Sequence, residues 1–336
     1  MAGAVPADLG RSLNRDDLAA GFLASVDELG LIAVAGDDAA SFLHGQLTND
    51  VAHLGLGDVR LAGYCSAKGR LLATALMWRN LDTVFLQVPR SILPGLLKRL
   101  QMFVLRAKAK LRDASAELAN EVVLGLGGAK AETALAGFFE QLPPSAYTRV
   151  EGKYGSLLRV ADALGAPRYL WLLPADTAIA AWPVLAAHLA VGANDAWQLS
   201  TILAGVPVVT DKTLEQFVPQ MVNYELLGGV NFKKGCYPGQ EIVARSQYLG
   251  KLKRRTVLAS IDQLAVQAGD DVFAAADPDQ PCGMVVNAAP NGQGGVDVLV
   301  EIKLAALDAG PVHHGSAGGS TLAFGAMPYA LDALAL

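Results

Sequence analysis

Only three cysteines, Cys65, Cys236 and Cys282, occur in 336 residues, far apart, with no C-x-x-C pair and no histidine at ligand spacing. That scarcity excludes a sequence-evident zinc ribbon or iron–sulfur cysteine run, and it fits a reducing compartment better than a disulfide framework. Charge is also sparse, at 18% of residues with a net of -5. A dedicated nucleic-acid binder carries a domain-wide basic excess, so any contact with RNA has to be local. No G-x-G-x-x-G follows a strand and no G-x-x-x-x-G-K-[ST] occurs; Gly125, Gly127 and Gly128 are only a fragment of such a loop, and a nucleotide cofactor is not indicated. The first twenty residues, with Arg11, Arg15, Asp16 and Asp17, hold no apolar run of the secretory kind, so the expected location is the cytoplasm. Thr177 to Thr210 holds one formal charge, Asp195, but also Pro183, His188, Asn194, Gln198 and Pro207. It reads as a buried or amphipathic helix pair, not a bilayer span.

What is present is an apolar globular chain, 52% hydrophobic with 35 glycines and 16 prolines, and its length allows two or three domains of roughly 150 residues each. Ile32 to Ala35, ended by Gly36, reads as a strand, with Asp37 or Asp38 capping a helix through Phe42, Leu43 and Leu47. Strands are expected at Arg60 to Tyr64, Leu71 to Trp78 and Thr83 to Val88, a helix at Ser91 to Val104 and a returning strand at Ala107 to Leu111. The cadence recurs as strand Val122 to Leu126, helix Ala129 to Phe139, strands Ser156 to Val160 and Tyr169 to Leu173, and helix Asp176 to Ala190. This is an α+β pattern of two tandem split βαβ, ferredoxin-like units. Beyond residue 250, short runs at Thr256 to Ile261, Gly283 to Ala288, Val296 to Ile302 and Ser320 to Ala323 predict a C-terminal antiparallel β-barrel. Ala309 to Gly319, with His313 and His314, reads as a solvated loop.

The chemistry concentrates between Asn231 and Arg255. From Lys233 to Arg255 there are seven basic residues (Lys233, Lys234, Arg245, Lys251, Lys253, Arg254 and Arg255) against one acid, Glu241. Such a concentration in an acidic chain points to an anionic partner or to a solvated basic loop, and direct RNA binding through Lys251 to Arg255 is one form of the first. Cys236 lies between Gly235 and Tyr237-Pro238-Gly239, a turn composition, and neighbouring cations favour a thiolate. It is either the reactive atom of the chain or a free thiol packed in a turn. Cys65 and Cys282 read as structural thiols, and His44, His53 and His188 have no sequence tie to Cys236.

Lys234-Gly235-Cys236-Tyr237-Pro238-Gly239-Gln240-Glu241 resembles the hallmark K-G-C-[FY]-x-G-Q-E of the YgfZ family. Phe42 through Asp50, Lys68-Gly69-Arg70, Ala204 to Pro207, Phe217 to Gln220 with Asn223, and Pro328-Tyr329 are similar to that family in the same order. The resemblance, from about residue 22 to 330, implies the fold of the glycine cleavage T protein, an aminomethyltransferase. Residues 22–115 with 195–250 would form a folate-binding domain, 116–194 a second α+β domain and 251–336 the barrel. It implies bound tetrahydrofolate or a one-carbon derivative and a role in making or repairing iron–sulfur enzymes such as a tRNA methylthiotransferase; three scattered cysteines argue against a permanently bound metal cluster held by this chain alone. Cys236 would be the reactive thiol, and Trp197 an aromatic platform for the pterin. Lys233, Lys234 and Arg245 would be cations for its glutamate tail. Leu29 stands where the family has a second tryptophan. Ala73 and Thr74 stand where the T protein has paired aspartates, which argues against conventional aminomethyl transfer, the alternative function.

Overall fold

The computed structural model describes residues 12–117, 121–248 and 252–331. A short helix α1 (Arg15–Ala20) precedes strand β1 (Phe22–Ser25). Then follow β2 (Leu29–Ala35), α2 (Ala39–His44), β3 (Val59–Cys65), β4 (Leu71–Arg79), β5 (Thr83–Pro89), α3 (Leu93–Met102) and β6 (Lys110–Asp113). The same order returns in β7 (Val122–Gly127), α4 (Ala131–Leu135), β8 (Thr148–Gly152), β9 (Gly155–Ala163), β10 (Ala166–Leu173), α5 (Ala175–Ala186) and β11 (Ala190–Gly192). The tandem split βαβ pattern read from the sequence is therefore present, with β8 and β11 added and the last helix of the second unit ending at Ala186 rather than Ala190.

The first sheet runs β3-β4-β5-β2-β6 and the second β11-β1-β7-β10-β9-β8. Residues 22–25, which the sequence places with the first unit, pair instead with the second: Leu23 lies opposite Leu126 of β7 and Val191 of β11. The chain thus begins in one sheet and crosses to the other, which interlocks the two units. Helix α6 (Asn194–Leu203) follows, then a long segment with a 3-10 turn at Pro219–Val222, and helix α7 (Gln240–Tyr248). The third sheet comprises β12 (Arg254–Ile261), β13 (Asp271–Ala274), β14 (Asp277–Pro290), β15 (Val296–Lys303), β16 (Val312–His314) and β17 (Leu322–Gly325), with the short helix α8 (Leu304–Leu307) after β15. Its order is β16-β13-β14-β15-β12-β17, and an isolated bridge between His313 and Thr321 brings its two ends together. The sheet curls into an antiparallel half-barrel.

Two expectations change here. Ala309 to Gly319 is not wholly loop, because it carries β16, and His314 is not solvated: its Nε2 lies 2.8 Å from Asp270 Oδ2. Helix α4 spans five residues, shorter than the Ala129 to Phe139 pattern. The apolar stretch around Pro183 divides into α5, β11 and α6, and no helix among the described residues is long and apolar enough to cross a membrane.

Each sheet is two-faced because successive strand residues point to opposite sides. Ile32 and Val34 face α2 and α3, while Leu31 and Ala33 face the centre of the molecule. Leu124, Leu126 and Tyr169 face α4 and α5, while Leu158, Leu170 and Leu172 turn inward. In the half-barrel Val257, Val298 and Val300 fill the barrel interior, and Leu258, Leu299 and Val286 join the central cluster. The three sheets therefore meet through their second faces, with Phe217, Tyr224 and Trp197 among the residues between them.

The segment at 219–225 ties the half-barrel to the rest. Arg255 donates from Nη1 to the Gln220 carbonyl at 3.0 Å and pairs with the Glu225 carboxylate; the Glu225 side chain is fully buried. Burial holds the Glu225 carboxyl above its ordinary range even with the guanidinium beside it. Truncating Arg255 to Ala strands that carboxylate, and the expected loss is about 3–5 kcal/mol in urea unfolding. Replacing both partners with apolar residues of similar volume should recover most of it. Unchanged stability of Arg255→Ala would show that the pair does not hold the barrel.

Candidate functional site

The hallmark loop is assembled by hydrogen bonds that reach across the sequence. Asn231 Oδ1 accepts from the backbone N–H of Lys233 at 2.8 Å and of Lys234 at 3.1 Å, closing a tight turn. The Lys234 ammonium turns inward and donates to the carbonyls of His44 at 2.5 Å and Leu47 at 2.9 Å, with Nζ 4.8 Å from the centre of the Tyr237 ring. Burial lowers its pKa from 10.5 to about 8, against the opposing charges of Asp50 and Cys236. Thr48 Oγ1 donates to the Gly229 carbonyl at 2.6 Å, and Asn49 Nδ2 donates to the carbonyls of Leu61 and Gly228, each at 2.7 Å. The Phe42 to Asp50 segment is thus the floor on which residues 228–234 rest.

A second turn closes on the same loop. Gly69 and Gly239 both adopt left-handed backbone, at φ 70° and 79°, and pack on each other so closely that a Cβ on Gly239 would lie 2.4 Å from the Ser66 carbonyl. Only glycine fits on either side of that contact. The resemblance motifs at 42–50, 68–70 and 234–241, far apart in sequence, therefore form one structure. His44, which has no sequence tie to Cys236, joins it through its carbonyl, and its Nδ1 lies 3.1 Å from Asp50 Oδ1. Cys236 itself is exposed, whereas Cys65 and Cys282 are buried, and burial pushes the Cys65 thiol up to about 12. Accessibility marks Cys236 as the thiol able to meet a partner.

A cavity of about 510 Å³ opens where the three sheets meet. Trp197, Leu29 and Thr74 are in its wall, and Lys233, Lys234, Cys236 and Arg245 are not. Arg245 projects from α7 into solvent and Lys234 is committed to carbonyls, so the local run of positive charge does not border the cavity. Lys251 lies outside the described residues. Arg254 and Arg255 pair with Glu301 and Glu225 respectively, which removes them from any free basic loop. Sequence position hides the carbonyls and carboxylates that face Lys234, Arg254 and Arg255, whereas Lys233, Arg245 and Lys253 are exposed and form no ion pair among the described residues.

The cations that do border the cavity are Arg168, Arg90 and Lys212. Arg168 is the informative one. It is 2% exposed, forms no ion pair among the described residues, and burial lowers its pKa to about 9. Its Nε donates to Ser200 Oγ at 3.0 Å, Nη1 to the Ala161 carbonyl at 3.2 Å and Nη2 to Thr201 Oγ1 at 2.6 Å. A guanidinium has five N–H donors, so two have no acceptor among the described residues. The guanidinium lies 4.3 Å over the Trp197 ring, and the indole is only 5% exposed, so Trp197 acts first as the support of Arg168. The Tyr147 hydroxyl, also at the wall, is buried without a hydrogen-bond partner among the described residues, on a residue in left-handed backbone at φ 62°. Glu28 accepts from Gln198 at the same cavity, and burial raises its carboxyl pKa. Sequence reasoning missed these three. A lone arginine inside the apolar strand β10 was a legible signal for Arg168; Tyr147 and Glu28 left none.

On the far wall the Thr74 hydroxyl accepts from the Val209 N–H at 3.0 Å. Ala73 faces the helix-covered core instead. Neither position presents a carboxylate to the cavity.

The chain is 32% identical to the tRNA-modifying protein YgfZ of Cronobacter sakazakii over 251 residues, 74% of each chain. The corresponding protein of Edwardsiella ictaluri is 34% identical over 224 residues, 66% of each. The chain belongs to the YgfZ family. No family profile matches it. In fold, this YgfZ-family chain is similar to the glycine cleavage system aminomethyltransferase T of Bartonella henselae, with a TM-score of 0.66 at 19% identity over 94% of this chain and 88% of the other. The T-protein fold expected from the motifs is therefore present, half-barrel included.

Lys234 supplies a pH signature of the hallmark loop. The folded protein releases its proton near pH 8, whereas the unfolded chain keeps it to about 10.5. The unfolded state thus binds more protons between those values, and stability rises with pH across the window. Urea midpoints from pH 8 to 10.5 should rise less steeply in Lys234→Met than in the unsubstituted protein. Parallel profiles would place the ammonium in solvent rather than on the two carbonyls.

Proposed function

We propose that this YgfZ-family protein binds tetrahydrofolate or a one-carbon derivative in the central cavity and acts as an accessory factor for iron–sulfur enzymes, including those that methylthiolate tRNA. Cys236 is its reactive thiol. The observation that carries the folate half is the buried, uncompensated Arg168 in the wall of a cavity large enough for a drug-sized molecule. A buried guanidinium with two spare donors costs free energy unless an acceptor arrives. A pterin carbonyl or a carboxylate is such an acceptor, and the unpartnered Tyr147 hydroxyl awaits the same kind of polar ligand. Glu28 offers an acceptor for the amino and ring N–H edge, and exposed Arg90 and Lys212 suit the glutamate carboxylates at the rim.

Bound tetrahydrofolate supplies a nitrogen carrier for a one-carbon unit. The chain's own residues bind and orient it, while Cys236 stands outside the cavity on a rigid loop, placed to meet a client protein as nucleophile or transient metal ligand. Strand β4 joins the two places, since the turn before it packs on Gly239 and its middle residues line the cavity. Conventional aminomethyl transfer is the second reading, favoured by the fold it shares with the T protein. It lacks the acid–base group such a transfer uses, because Ala73 and Thr74 supply none.

Tetrahydrofolate should bind with quenching of tryptophan fluorescence, and the quench should shrink in Trp197→Phe. Calorimetry should show Arg168→Met weakening binding by about 10- to 100-fold, the loss of a charge-assisted hydrogen bond. Absence of binding to the unsubstituted protein would end the folate reading. Separately, Cys236→Ala should keep its fold and bind folate, yet fail to restore a cluster-dependent tRNA methylthiotransferase in a deletion strain. Full rescue by that variant would refute the thiol's role.

A further inference from the structure

Gln87 is a polar residue in the middle of an apolar face. The register across the first sheet sets Leu61 of β3, Leu76 of β4, Gln87 of β5 and Leu31 of β2 side by side, and the three leucines pack in or on the central cluster. The next row along β5 is closed by Phe85, stacked on Trp78 with ring centres 5.7 Å apart. Gln87 is 5% exposed and lines the central cavity, yet its side chain forms no hydrogen bond among the described residues. A carboxamide carries two N–H donors and a carbonyl acceptor, and a buried one is ordinarily bonded within the protein, as those of Asn223 and Asn287 are. A leucine would complete the row, so the chain forgoes apolar packing to present an amide to whatever fills the cavity.

The position of Gln87 relative to Glu28 indicates which part of a ligand it meets. Leu29 lies opposite Pro89 and Leu31 opposite Gln87, so three residues of strand, about 10 Å, separate Glu28 from Gln87 along the β2–β5 wall. That spacing accommodates a bicyclic ring held at two edges. With its amino and N3–H edge on Glu28, a reduced pterin turns its C4 carbonyl and N5 toward the next polar side chain. A carboxamide fits that pair, because its NH2 donates to the carbonyl oxygen while its oxygen accepts from N5–H. A methyl group on N5 removes the hydrogen and sets carbon against the amide oxygen.

We propose that Gln87 reads N5 of the bound folate and selects tetrahydrofolate with N5 free over forms substituted there. This selectivity rests on the folate reading above and on the place of Glu28 in it. It makes the protein a holder of a carrier that is unloaded at N5.

Anaerobic calorimetry with tetrahydrofolate and 5-methyltetrahydrofolate tests this. The unsubstituted protein should bind tetrahydrofolate at least about 10-fold more tightly, the effect of one hydrogen bond lost and an acceptor left facing a methyl group. Gln87→Leu should weaken tetrahydrofolate about 10-fold and leave 5-methyltetrahydrofolate within about 3-fold, so that the preference disappears. Circular dichroism checks that the variant folds, and Gln87→Met should give the same result if the leucine variant does not. Arg168→Met, by contrast, should weaken both folates alike and keep the preference. Equal affinity of the unsubstituted protein for the two folates, or a preference that survives in the Gln87 variants, would overturn the proposal while leaving folate binding intact. Binding of neither folate would overturn the folate reading and this selectivity with it.

Discussion

The arrangement depends on a surplus of apolar faces. Each of the three sheets presents hydrophobic residues on both sides, and local helices cover only one side of the first two, while the half-barrel encloses one side of the third. The remaining faces leave water only by turning toward one another, which forces a three-cornered packing around Trp197, Phe217 and Tyr224. Three curved surfaces do not fill the space between them. The cavity is the part left over, and its position at the junction follows from the packing problem rather than from any one motif.

Polar groups trapped at that junction decide how it is fastened. Tyr224 donates to the carbonyls of Ala62 at 3.2 Å and Ala75 at 3.4 Å, Asn223 to the Thr256 carbonyl at 2.8 Å, and Tyr329 to the Gly205 carbonyl at 2.7 Å. Each such bond contributes only about 1 kcal/mol net, but leaving one of these groups unpaired costs about 1–3 kcal/mol, so together they select one arrangement of the sheets. Most of the family-like motifs are spent on this work. Phe42 to Asp50, Asn223 and Pro328-Tyr329 hold backbone to backbone, and of the hallmark itself Lys234 is a structural ammonium and Gly239 a point of close approach. Arg168 and Tyr147 differ from them in keeping unused donors, which is why the cavity, and not merely its scaffold, has a chemical character.

Local structure was readable wherever alternation and turn chemistry agreed. Strands β3, β4, β5, β12 and β15 appear within a residue or two of where the pattern put them, and the turn before β5 forms because Asn80 Oδ1 accepts from the N–H groups of Asp82 and Thr83. Short segments that gain their stability from distant partners were not readable. β1 is four residues long and is a strand because β7 and β11 flank it, and β16 forms against β13. The site was half legible. Its thiol and hallmark glycines carry a linear signature, but charge along the chain misled, since Lys234, Arg254 and Arg255 meet carbonyls and carboxylates contributed from elsewhere.

The scarcity of cysteine, the single dense motif and the repeated strand–helix cadence were properties of the amino-acid order alone, because each depends on neighbours within a few residues. They were enough to predict an α+β chain of two tandem units and to single out Cys236 among the three cysteines, and the resemblance carried by the motif added the expectation of a T-protein-like fold. Tertiary structure alone decided which cations stay free, which arginine lies buried without a counter-charge, and that the hallmark loop and the cavity are separate places. Charge pairing and burial depend on what packs opposite, and that partner is supplied by a residue tens to hundreds of positions away.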